Sequence, residues 1–191
     1  MKRIPLIMLV LLGLSSYVFA DWELVNDQSS LHYVSIKDTD AGEINSFKQL
    51  NGSVSANGAV SLSINLASVE TGIPIRNERM QEMFFEVAKF AQANISGDVD
   101  LARVSELAVG DTYTDLITLK LSLHGVSNEV TSAVQITKLS QERMLVSSLE
   151  PVIVNAADYK FVDGIEKLRE AAKLPAISMV VPVTYSLVFK Q

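Results

Sequence analysis

The chain has no cysteine among its 191 residues, only two histidines (His32 and His124) and a single tryptophan. Without cysteine there is no disulfide and no thiolate ligand, so the core alone must supply stability. Neither histidine has a partner at zinc-ligand spacing, which argues against a metal site. No Gly-x-Ser-x-Gly elbow and no glycine-rich phosphate loop occurs, so nothing in the sequence marks a nucleophile or a nucleotide, and the expectation is not an enzyme. Asp38, Asp40 and Glu43 gather near a turn but lack the glycine and terminal glutamate of a calcium loop, and read as a solvated loop. There is also no linker, repeat or low-complexity block, which leaves one domain.

One apolar run is present, and it is short. Lys2 and Arg3 precede Ile4 to Leu14, and Val18-Phe-Ala20 carries the residues a signal peptidase reads, so residues 1–20 are expected to be a signal peptide cleaved after Ala20. A membrane span needs about 20 apolar residues, more than this run offers, and no stable membrane anchor is expected. A signal peptide on a chain without cysteine points to a bacterial periplasm. Residues 21–191 then form the folded domain, long enough to bury a substantial core. Removing Lys2 and Arg3 from the 16 basic residues leaves 14 against 22 acidic ones, a net charge of −8. Such a surface does not seek nucleic acid or anionic lipid through its net field.

Turn signals are frequent: Asn51-Gly52, Asn57-Gly58, Gly97-Asp98, Gly110-Asp111 and His124-Gly125 among them. Between them lie segments of period two. Val60 to Leu66 alternates with Leu62, Ile64 and Leu66 on one face. Ile117 to Leu123 places Leu119 and Leu121 likewise, and Ile177 to Phe189 places Met179, Val181 and Tyr185. Regularly spaced short strands with one apolar face predict an all-β antiparallel sandwich or barrel, with eight or nine strands. Pro182 cannot donate to a ladder and marks an edge or a bulge.

Two helical pieces interrupt the strands. In the first, Arg76 to Phe85, helical spacing puts Met80, Met83 and Phe84 on one face and leaves Arg79 and Glu82 outside. In the second, Gly164 to Lys173, Asp163 is the expected cap and Ile165, Leu168 and Ala172 face inward. A sheet this one-sided must pack on another sheet or close on itself, and closure of eight strands leaves room either for side chains alone or for one small ligand. The inward residues are mainly Val, Leu, Ile and Ala, while Phe47, Phe84, Phe85 and Phe90 cluster about the helical insert. A lined barrel with aromatics near one mouth and a solid core both fit this pattern.

The order of Asn65-Leu-Ala-Ser-Val-Glu-Thr71, Arg76-Asn-Glu-Arg-Met80, Phe84-Phe-Glu-Val87 and Lys89-Phe90 resembles the YceI family of bacterial periplasmic proteins. Leu121-Ser-Leu-His-Gly-Val126 is similar to that family's second signature, and Gly42, Phe47 and Gly52 to a third region. The resemblance spans residues 21–191. It departs at Arg79-Met80, where the family often has a histidine, at Ala91, which replaces a usual proline, and in the helix near residue 170. It implies an extended, lipocalin-like barrel with two short helices and an elongated cavity for a polyisoprenoid lipid such as an isoprenoid quinone, with no other cofactor. On that reading the protein is a periplasmic carrier of an apolar small molecule. The alternatives are an enzyme acting on such a lipid and a scaffold protein without a ligand, and a homodimer is left open. Expected lining residues are Phe47, Leu62, Ile64, Leu66, Met80, Met83, Phe84, Phe85, Phe90, Leu119, Leu121, Met179, Val181 and Tyr185. Arg76 and Arg79 would meet an anionic head group; otherwise they are a solvated helix face.

Overall fold

The structure, a computed structural model, describes residues 21–191. The expected signal peptide, residues 1–20, lies outside the described residues. Twelve strand segments form one antiparallel sheet: β1 (Trp22–Leu24), β2 (Ser30–Lys37), β3 (Ala41–Phe47), β4 (Leu50–Val54), β5 (Ala59–Asn65), β6 (Val69–Glu70), β7 (Gln92–Asp98), β8 (Thr112–Leu123), β9 (Val126–Ser140), β10 (Arg143–Ser148), β11 (Val152–Asn155) and β12 (Val180–Lys190). Three helices, α1 (Pro74–Arg79), α2 (Leu101–Glu106) and α3 (Val162–Ala172), accompany them.

The sheet is a closed eight-stranded barrel. β1 and β2 form one long stave broken by a 3-10 turn, as do β5 and β6, while β3 with β4 and β10 with β11 form staves broken by short irregular bends. Each stave pairs with its neighbours in sequence, and the last, β12, returns to β1 and β2. Closure removes the unpaired edges that a sheet of this length would otherwise present. The 15 residues of β9 extend roughly 50 Å along the strand, which makes the barrel elongated.

Local chemistry sets the corners. Leu123 pairs with Val126 across a two-residue loop in which His124 and Gly125 both have positive φ, 50° and 75°. That is the mirror-image turn whose twist suits a hairpin, and glycine takes its second position without strain. Pro182 lies at a bulge, as its missing N–H requires. Val183 pairs with Tyr33 and Ile177 with Lys37, so residues 178–182 oppose only residues 34–36.

The helical insert differs from a simple helix. After α1 the chain widens into a π turn over Met80–Phe84, closed by Phe85 N–H donating to the Met80 carbonyl at 2.8 Å. The extra residue in that turn shifts the apolar face, so Phe84 and Phe85 both turn inward and Met83 does not. α3 runs as expected, with Ile165, Leu168 and Ala172 inward, but its cap residue is Phe161 and not Asp163, which sits in the first turn. Gly164 lets α3 seat against Phe84: a Cβ there would stand 3.2 Å from Phe84 Cδ2. α2 was not expected. Asp100 caps it through the Ala102 N–H at 2.9 Å, and Leu101 and Val104, three apart, face the barrel interior. Among the described residues no helix is long and apolar enough to cross a membrane.

Candidate functional site

The inward faces of the staves do not meet. They enclose a cavity of about 550 Å³, within the range of sites that hold small molecules. Its walls are mainly apolar, aliphatic along most of the barrel and aromatic toward one end. Many residues that point into the closed barrel, such as Ile95, Val130, Val146 and Val183, remain half-exposed because they face this space.

The deep end is sealed. Val54, Val60, Met144 and Phe189 converge there with Leu101 and Val104 of α2. α2 is fastened by Lys138, a buried lysine whose Nζ donates to the carbonyls of Ser105 at 3.2 Å and Leu107 at 2.9 Å. These are end-of-helix carbonyls without intrahelical partners, which a cation satisfies well. No sequence pattern distinguishes Lys138 from a surface lysine except its place in the inward phase of β9.

The other end is a mouth. Ile73 and Ile75, at the start of α1, are 45% and 53% exposed, yet both line the cavity. Leu168 and Ala172 of α3 and Leu174 form the facing lip. The loop before α1 is held rigidly. The Thr71 N–H and hydroxyl both donate to Asn77 Oδ1, at 2.9 and 2.6 Å, and the Gly72 N–H donates to Glu70 Oε1 at 2.7 Å.

A polar wall stands just inside the mouth, made by Tyr33, Ser35 and Lys37 of β2, Glu43 of β3 and Arg76 of α1. Lys37 Nζ donates to Glu43 Oε1 at 2.8 Å. Arg76 donates to the other oxygen of Glu43 through one terminal nitrogen and to the Thr71 carbonyl, at 2.6 Å, through the other. Lys37 first, and then Arg76, hold the Glu43 carboxyl below its ordinary range despite its partial burial. Glu43 is therefore no solvated loop residue; it faces inward, opposite Ser35 in the β2–β3 register.

Of the expected lining residues, Phe47, Leu62, Ile64, Leu66, Met80, Phe84, Phe85, Leu121, Val181 and Tyr185 do face the cavity, as do Arg76 and Arg79. Four do not. Met83 is turned away by the π turn, and its carbonyl lies against α3. Phe90 packs on the His124 ring at 4.3 Å and beneath Gly125. Leu119 folds over Gly97, where a Cβ would come within 2.6 Å of its Cδ2. Met179 precedes β12 in an irregular stretch, so strand alternation does not govern it and Ser178 reaches the cavity instead. Neither arginine is a freely solvated helix face. Arg76 is bound to Glu43, and Arg79 donates to the Ala171 carbonyl of α3 at 3.3 Å.

The aromatic residues form a chain across the mouth end: Tyr33 to Phe47 at 5.5 Å, Phe47 to Phe85 at 5.7 Å, Phe85 to Phe84 at 4.8 Å, and Phe84 to Phe161 at 4.3 Å. His124 extends the chain by stacking on Phe161 at 4.6 Å, and its Nε2 lies 3.0 Å from Glu86 Oε2. These contacts fasten the insert to the β8–β9 turn. Among the described residues no group of three or more His, Asp or Glu side chains could hold a metal ion.

A closed barrel around an elongated apolar cavity, with a charged and aromatic mouth, is the architecture of a protein built to enclose a hydrophobic molecule. The chain belongs to the YceI family: the YceI-like domain matches residues 22–189. A polyisoprenoid binding domain from Saccharophagus degradans, implicated in plant cell wall breakdown, is 38% identical with a TM-score of 0.87, covering 88% of this chain and 97% of that one. BcnA of Burkholderia cenocepacia is 18% identical with a TM-score of 0.66, over 86% and 98% of the two chains. A YCEI protein of Campylobacter jejuni is 15% identical with a TM-score of 0.58, over 77% and 84%. The last two likenesses concern the fold alone. No curated protein matches the chain.

Proposed function

We propose that this protein is a carrier or storage protein for a polyisoprenoid lipid, such as an isoprenoid quinone, and that it acts by binding without catalytic turnover. The observation that carries this reading is the continuous, mainly apolar cavity of about 550 Å³ running from the exposed Ile73 and Ile75 to the floor at α2. The 38% identical polyisoprenoid binding domain supports it. Each buried methylene of a lipid tail contributes roughly 0.8 kcal/mol, while immobilisation costs about 4–15 kcal/mol. Several isoprene units must therefore enter before binding becomes useful, and a long cavity suits that demand better than a round one. The mutual pairing of Lys37, Glu43 and Arg76 favours a binding role over acid–base chemistry. The pattern of residues 1–20 supports export to a periplasm.

The test is native mass spectrometry and solvent extraction of protein purified from its own host. The expected result is a stoichiometric isoprenoid and a mature chain that begins at Asp21. Recovery of protein with no apolar molecule, and no uptake of one when it is offered, would refute the reading.

A further inference from the structure

The cavity ends where its lining stops being open. Midway along the barrel, Ile95, Ile117, Val130 and Val146 are half-buried although all four point inward, because empty space stands in front of them. Two residues further along β10, at Met144, that space is gone. Met144, Val54, Phe189 and Val104 of α2 are only 2–4% exposed, closed off from solvent and from open space alike. Such a layer is packed as protein interiors are, and a further methylene would be felt.

A helix, and not a strand, completes that layer. β7 and β8 pair only through residues 94–96 and 120–122, so residues 112–119 of β8 have no partner in β7. α2 lies in the chain between these two strands and is fastened to the unpaired stretch. Arg103 Nη1 donates to Asp115 Oδ2 at 3.1 Å, and the Arg103 guanidinium stands 4.4 Å over the Tyr113 ring. From β9, Lys138 holds the far end of the helix through the Ser105 and Leu107 carbonyls. α2 is therefore a fixed stop, and the depth of the cavity rests on the two side chains it turns inward, Leu101 and Val104.

Resting on the carrier reading, we propose that Leu101 and Val104 set the length of isoprenoid tail that the protein recognises: the last unit to enter comes to rest against them. Each unit added to a short tail leaves water for the cavity and strengthens binding. Once the tail reaches α2, a further unit stays in water whether the lipid is bound or free, and adds nothing. Affinity should thus climb with tail length and then break to a plateau. The floor can be moved by a known amount. Leu101→Ala removes three carbons and Val104→Ala two, together the carbon count of one isoprene unit.

Fluorescence titration of delipidated protein tests this with benzoquinones that share one head group and differ stepwise in tail length. For the wild type, each added unit should raise affinity by about tenfold or more until the break. The double variant Leu101→Ala, Val104→Ala should move the break one unit longer. Leu101→Phe fills the floor where the double variant empties it, so it keeps that layer packed, and it should move the break to a shorter tail. These two opposite shifts separate a stop from a residue that merely supports the fold, which would weaken all tail lengths equally. Affinity that rises without a break, or a break at an unchanged length in the variants, would overturn the proposal while leaving the carrier reading intact. The wild-type series stands as a test even if the double variant does not fold. If no quinone of any length binds, the carrier reading itself fails and takes this inference with it.

Discussion

Replacing Val146 with phenylalanine asks directly whether the barrel is hollow. Val146 sits in the middle of β10, between Ile136 of β9 and Leu187 of β12. It faces the cavity and is only half-buried although it points into a closed barrel. Phenylalanine is a good strand residue, so the backbone should accept it. In a filled interior the added ring would overpack, at a cost of about 1–3 kcal/mol. For a domain of this size that is a fall in Tm of roughly 2–12 °C. In the cavity seen here the ring instead finds space and buries apolar surface, so Tm should hold or rise. The lipid loses that space. One displaced isoprene unit, at about 0.8 kcal/mol per carbon, weakens affinity on the order of a hundred- to a thousandfold. Calorimetric melting of the lipid-free protein together with fluorescence titration of a prenylated quinone measures both effects. A Tm lowered by several degrees with lipid affinity unchanged would refute the argument.

Three further outcomes are expected. Glu70 is held down to about 2 by Lys48, the Gly72 N–H and Asn77. A depressed carboxylate stabilises the fold above its unfolded pKa, near 4.5, and this contribution is lost as pH falls toward 2. Glu70→Gln should therefore lower the urea midpoint at pH 6, by a margin that narrows below pH 4.5 and closes on the wild type only near pH 2. Gly58→Ala places a Cβ 2.1 Å from the Val99 carbonyl oxygen at a φ of +89°, and equilibrium unfolding should show a loss of at least about 2 kcal/mol. His124→Ala removes the Glu86 contact and the ring stack on Phe161. Amide exchange over residues 85–90 should then accelerate while that of β8 and β9 stays protected.

Much of the architecture was legible because strands and one-sided burial leave a local mark. Period-two alternation in residues 60–66 and 117–123 identified inward faces, and the His124-Gly125 pair marked a hairpin turn. The second helix showed its inward side through Ile165, Leu168 and Ala172. The errors share a cause. Met83 was misplaced by a π turn, Met179 by an irregular stretch, and Leu119 by a neighbouring glycine, none of which alters hydrophobic periodicity. α2 was missed because six residues give too short a pattern, though Asp100 before Leu101 and Val104 was its trace.

By itself, then, the chain determined that an antiparallel, one-sided β structure would form and which faces would turn from water, since alternation and turn chemistry act between residues close in sequence. Whether those faces would touch or stand apart was a matter of barrel closure, in which β12 returns to β1 and β2 from more than 140 residues away. The same long-range geometry brought Glu43 to Arg76 and Lys138 to the end of α2. Cavities and buried pairings arise from distances between strands remote in sequence, and only the tertiary structure sets those distances.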